Sequence, residues 1–175
     1  MTKVPSRGFS RDEFAARLAA VQSQMASQRM GALLLTTESD IFYFTGFLSQ
    51  FWQSPTRPWF VVIPAAGLPI AVIPEIGVNA MKSEFMTDIR SWASPHATDD
   101  GVSLLAETVL EVLAQSQSCT LGLNKGRETQ IRMPMNDFES LMDRLRGSVA
   151  DLCVLDATPA VQAVRMLKSE AEIDK

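Results

Sequence analysis

The chain predicts an α/β domain: a mixed sheet of about six strands with helices on both faces. Three observations carry this reading. Short, uniformly apolar runs alternate with longer stretches whose apolar residues recur at helical spacing. One pair of runs, 59–63 and 70–73, is separated by Pro64-Ala65-Ala66-Gly67, a turn that makes a hairpin of them. Finally, 175 residues at 46% hydrophobic and 21% charged suit one domain with a substantial core.

The elements follow in order. Ser10 and Glu13 form an S-x-x-E capping box, Phe9 and Phe14 stand where a hydrophobic staple would put them, and Phe14, Leu18, Val21 and Met25 give a first helix its buried stripe. Gly31 ends that unit, and 32–35 is a strand covered on both faces. Ser39 is read as the cap of a short helix over 40–45, which Gly46 terminates. After an aromatic loop come the hairpin, a helix over 76–85 and a strand over 89–92. Asp99 or Asp100 caps the next helix, whose buried face is Leu105, Val109, Val112 and Leu113. A strand over 120–123 follows, then a helix marked by Phe138, Leu141, Met142 and Leu145 and closed by Gly147, then a strand over 152–155. Thr158-Pro159 reads as a cap with proline at the first helical position, opening a helix to about Leu167. Ser169 and Glu172 make a second capping box before Ile173. The helix so announced has about one turn before Lys175, far short of the roughly 12 residues an isolated helix needs. Residues 1–168 are therefore expected to form one domain, and 169–175 the stub of the first helix of another.

The chemistry-bearing residues are sparse. A net charge of −4 argues against a nucleic-acid partner, because phosphate binding needs a concentrated basic surface. No apolar run approaches the ~20 residues of a membrane-crossing helix, and no apolar stretch follows the basic N-terminus as in a signal peptide. The expected setting is the cytoplasm. Cys119 and Cys153 read as small buried hydrophobes in a reducing compartment. The single histidine, His96, lies near Asp99 and Asp100 in a loop and reads as solvated, with weak metal binding the alternative. Asp40, Glu38 and Glu75 read as caps or solvated carboxylates, Arg90 and Arg165 as ion-pair or surface residues, and Tyr43 as a packed ring with its hydroxyl at the surface.

The loop 47–59 holds Phe51, Trp52, Gln53, Arg57 and Trp59. Two readings stand side by side. Exposed aromatics with arginine anchor interfaces; alternatively Phe51 and Trp52 pack beneath the loop and Arg57 is solvated.

Taken in order, several segments resemble the N-terminal domain of the creatinase, prolidase and Xaa-Pro aminopeptidase family. They are the strand Gly31-Ala32-Leu33-Leu34-Leu35, the run from Glu38 to Phe47 (E-S-D-I-F-Y-F-T-G-F), Arg57-Pro58 before a Val-Val-Ile strand, and Leu121-Gly122-Leu123. The most specific is Asp156 followed by Arg165-Met166-Leu167-Lys168-Ser169-Glu170-Ala171-Glu172-Ile173. The resemblance implies a creatinase N-terminal, ribonuclease H-like fold that is itself non-catalytic and carries no cofactor. It also implies a parent hydrolase whose missing catalytic domain holds two divalent metal ions (Mn, Co or Zn) in most peptidase members. The implied partners are that catalytic domain, a second subunit, and a small peptide or amidino or amide substrate. In creatinase-like dimers the corresponding loop reaches the partner subunit's active site, and the resemblance makes Arg57, with Phe51 or Trp52, the substrate-binding residues acting in trans. A catalytically inactive peptide- or protein-binding module with the same fold is the alternative.

Overall fold

In the computed structural model, the structure describes residues 8–54 and 58–175. Six strands form one sheet: β1 (Ala32–Leu35), β2 (Phe60–Pro64), β3 (Ile70–Pro74), β4 (Asp88–Trp92), β5 (Thr120–Leu123) and β6 (Cys153–Asp156), in the order β4-β3-β2-β1-β5-β6. β1–β2 and β2–β3 are antiparallel, while β3–β4, β1–β5 and β5–β6 are parallel. The short turn at 65–69 joins the antiparallel pair β2–β3, the antiparallel pair β1–β2 is joined through α2 and the aromatic loop, and the parallel pairs β3–β4 and β5–β6 are joined by longer crossovers.

The central strands are apolar at every position because each face has its own core. Leu33, Leu35, Val61, Ile63, Ala71 and Ile73 point to one, and Ala32, Leu34, Phe60, Val62, Ile70 and Val72 to the other. The first core is closed by α1 (Arg11–Ser27), α2 (Glu38–Thr45) and α6 (Thr158–Met166), the second by α4 (Val102–Ala114) and α5 (Met135–Ser148). On edge strand β4, Arg90 pairs with Asp88 at 3.2 Å and reaches Glu111 of α4 at 2.6 Å, the ion pair expected of it.

Several local expectations are corrected. The 76–85 helix is only a 3₁₀ turn, Glu75–Gly77, and one turn of α3, Val78–Met81. Lys82 turns extended, and Ser83 Oγ accepts the amide of Met86, a side-chain bond that competes with helix propagation. α2 begins at Glu38, and its cap is Thr37, not Ser39. The first capping box is half made: Ser10 Oγ accepts from the Glu13 amide, but the Glu13 carboxylate turns to Arg17. α4 starts after Gly101 (φ 91°), which has no side chain to cap it, although Asp99 does accept the Ser103 amide. Thr158 lies inside α6, after Ala157. Gly147 lies inside α5, one residue before its end. Cys119 and Cys153 are exposed rather than buried, because one precedes β5 and the other opens the edge strand β6.

Candidate functional site

The aromatic loop is built outward from α2. Gly46, at φ 69°, stops the helix in the left-handed conformation that favours glycine, and Thr45 Oγ1 accepts the amide of Phe47 at 3.1 Å. Phe47 is buried. Ser49 then caps a single 3₁₀ turn, Gln50–Gln53, taking the Phe51 amide on its hydroxyl. Trp52 turns inward and is 6% exposed, Phe51 turns outward at 36%, and Trp59, leading into β2, is fully buried. The rings of Phe47, Phe51 and Trp52 lie 5.3, 6.1 and 6.0 Å from Trp59, with Phe51 stacked on it. Trp59 in turn rests on Gly77, where an added Cβ would lie 2.0 Å from its ring. The loop is thus a platform of buried aromatics presenting one exposed ring. Trp52 packs beneath the loop and Phe51 faces out. Arg57 lies outside the described residues.

Sequence reasoning missed Arg132, which holds this loop from the other side. Its guanidinium lies 5.0 Å from the Trp52 ring centroid, and Nη2 donates to the carbonyl of Trp52 at 3.0 Å and to that of Ser54. Burial lowers its pKa, with Glu38 opposing. The segment around it matches no helix, strand or turn pattern, so the sequence carried no signal.

A polar crevice lies beside the loop's origin. Asp40, read from sequence as a cap or a solvated carboxylate, is 5% exposed. It accepts from Arg165 at 2.6 Å and from Asn124 and Thr37 side chains at 2.8 Å each. The Oδ1 of Asn124 is buried without a partner among the described residues. A third cluster joins the chain's two ends. Arg17, 5% exposed, donates to Glu13 at 3.0 Å and to the Tyr43 carbonyl at 2.8 Å, with the Phe9 and Tyr43 rings 4.2 and 4.3 Å from its guanidinium. Glu172 of α7 (Glu170–Ile173) stands 3.6 Å from Arg17, and Ser169 donates to Glu13 at 2.8 Å.

His96 is exposed, and its Nδ1 accepts the Asp99 amide at 3.2 Å, while Asp100 turns to the Trp92 indole at 2.7 Å. Among the described residues no three His, Cys, Asp or Glu side chains group so as to hold a metal ion. No helix among them is long and apolar enough to cross a membrane.

Comparison with known proteins places this geometry. The family profile described as the Creatinase/Prolidase N-terminal domain matches residues 17–167. The chain belongs to that family. This creatinase/prolidase N-terminal domain is 27% identical over 169 residues to the probable dipeptidase PepE of Mycobacterium tuberculosis, covering 97% of the chain and 40% of PepE. Among solved structures it resembles a prolidase from Thermococcus sibiricus (TM-score 0.70, 18% identity, 92% of this chain and 39% of that one). It also resembles the isolated N-terminal domain of a Xaa-Pro dipeptidase from Lactobacillus brevis (TM-score 0.59, 18% identity, 84% of this chain and 98% of that one). Those two likenesses establish the fold. The domain spans about two fifths of the length of the curated relatives it matches.

Proposed function

We propose that the chain is the non-catalytic N-terminal domain of a longer, cytoplasmic dipeptidase- or prolidase-type hydrolase, where it contributes to dimerisation and to substrate recognition. The observation that carries this is the aromatic loop. An exposed Phe51 ring stacked on a buried tryptophan platform is a low-polarity surface, and Arg57 follows it in the sequence. An arginine suits a carboxylate, which its planar fork binds through two hydrogen bonds. The bond-breaking chemistry, with whatever divalent metal ions it uses, belongs in this reading to the remainder of the protein. The residues described here do not form a metal-binding group, and no catalytic step is assigned to them. α7 is read as the start of the catalytic domain's first helix. Met166, Leu167 and Ile173, at 75%, 78% and 72% exposed, offer an apolar surface for that domain to cover.

Subunit mixing tests the recognition role. One full-length subunit carries Arg57→Ala and an intact catalytic domain; the other carries an intact loop and an inactivated catalytic domain. A loop serving its partner's site restores activity in the mixed dimer. Activity no higher than in the Arg57→Ala homodimer contradicts action in trans.

The alternative, a catalytically inactive peptide- or protein-binding module, is favoured by the crevice at Asp40, Asn124 and Arg165, whose unpartnered Asn124 oxygen could accept a donor from a bound chain. Binding of a peptide by the isolated domain, lost in Asn124→Ala, would speak for it.

A further inference from the structure

The aromatic loop leaves the end of α2 and has little regular structure of its own. A four-residue 3₁₀ turn is a weak element with few hydrogen bonds, and its own anchor is the Trp52 ring buried against Phe47 and Trp59. A second, polar tie comes from a residue in a distant part of the chain. Arg132 lies in the segment between β5 and α5, 80 positions from Trp52. On either side of it, Ile131 and Met133 pack against the α4/α5 core, and the backbone amide of Arg132 donates to Thr36 Oγ1 at 3.0 Å, just beyond β1. The backbone of Arg132 is therefore tied to the sheet. Its side chain reaches the loop and makes three contacts with one turn: a hydrogen bond to the Trp52 carbonyl, another to the Ser54 carbonyl, and the stack on the Trp52 ring. The two carbonyls bracket Gln53. A guanidinium holds both at once because its donors are fixed in one plane, and the same plane suits an aromatic face.

We propose that Arg132 is a positioning residue: its guanidinium locks the 50–54 turn against the sheet, so that Phe51 is presented in one conformation for substrate selection. The selection part rests on the function proposed above; the lock itself does not. Arg132 touches no reacting atom in this account. Its effect passes entirely through the loop, whose preorganisation spares the cost of ordering it when substrate arrives.

The test has two arms. In the 175-residue chain, amide hydrogen exchange is compared for the wild type, Arg132→Ala and Arg132→Lys. Arg132→Ala should speed exchange at Trp52 and Ser54 by about tenfold or more, as expected for losing charge-assisted bonds that hold a local unit closed. The amides of β1 and β2 should stay protected, showing that the fold persists. Arg132→Lys should recover part of the protection, because an ammonium can reach one carbonyl but loses the fork and the stack. Unchanged exchange at Trp52 and Ser54 in Arg132→Ala overturns the lock.

In the full-length protein, the ratio of kcat/KM for a dipeptide with a free carboxylate to that for its amide is measured for Arg132→Ala, Arg132→Lys and Arg57→Ala. Arg132→Ala should lower the ratio mainly through KM, with Arg132→Lys intermediate. An unchanged ratio in Arg132→Ala beside a lowered ratio in Arg57→Ala overturns the positioning role. If Arg57→Ala also leaves the ratio unchanged, the loop's part in substrate recognition is what fails, and the exchange arm alone decides the lock.

Discussion

Arg165 donates from Nη1 to Oδ1 of Asp40 at 2.6 Å, joining α6 to α2 across 125 positions of sequence. Asp40 is buried and takes further donors from Asn124 and Thr37, so it gathers three segments around one carboxylate. Removing Asp40 leaves those donors without their shared acceptor, whereas removing Arg165, whose side chain is 39% exposed, leaves a carboxylate still held by two donors. Asp40→Ala should destabilise the domain by about 2–4 kcal/mol. Arg165→Met should cost roughly 1 kcal/mol, discounted for solvent screening. Chemical denaturation of the two variants checks the order; equal losses would contradict it.

The second prediction concerns α7. A single turn cannot hold itself, because its first hydrogen bond fixes several dihedrals. Its capping box is complete, with Glu172 and Ser169 each accepting the other's amide, and Ser169 and Glu172 also engage Glu13 and Arg17 of α1. Order in 169–173 is borrowed from α1. Arg17→Met should therefore raise amide exchange at Glu172 and Ile173 by several-fold, while Glu170→Gln, which leaves these contacts intact, should not. Equal exchange in both variants would mean that the box alone orders the turn.

The third prediction is a pH dependence. Asp156 follows the last core position of β6, and hydrogen bonds from Thr158, and then from the Lys125 amide, hold its pKa below the ordinary value despite some burial. A carboxylate with a depressed folded-state pKa contributes stability that is full above the unfolded value, near 4, and fades as pH falls through the folded value. Asp156→Asn should flatten the acid limb of the stability curve below about pH 4. An unchanged acid limb in that variant would assign the loss to other carboxylates.

How far the sequence could be read depends on the range of the interaction. Strands were legible because two cores demand apolar residues at consecutive positions, as at Leu33, Leu34 and Leu35. The Phe9–Phe14 staple, with ring centroids 6.2 Å apart, and the second capping box were legible because their partners lie within five residues. Long-range polar contacts were not. Nothing near Asp40 in sequence announces Arg165 or Asn124, so a buried hub looked like a helix-start carboxylate. The failure of 76–85 to form one helix has other causes: Gly77 packs against the Trp59 ring and Ser83 accepts the Met86 amide, neither visible in apolar spacing. Cys153 misled because a strand pattern does not say which strand is an edge, and Cys119 because it lies just before β5 rather than in it.

The most direct test of the account is the carboxylate preference of Arg57→Ala in the full-length protein. Catalytic efficiency is measured for a dipeptide with a free carboxylate and for the same dipeptide amidated. Loss of a hydrogen bond to a charged group should cost the free-carboxylate substrate roughly 10- to 150-fold and leave the amide nearly unchanged. Arg57→Lys should regain only part, because it keeps the charge and loses the fork. If Arg57→Ala lowers both substrates equally, or neither, the loop does not recognise the substrate carboxylate and the proposed role is wrong.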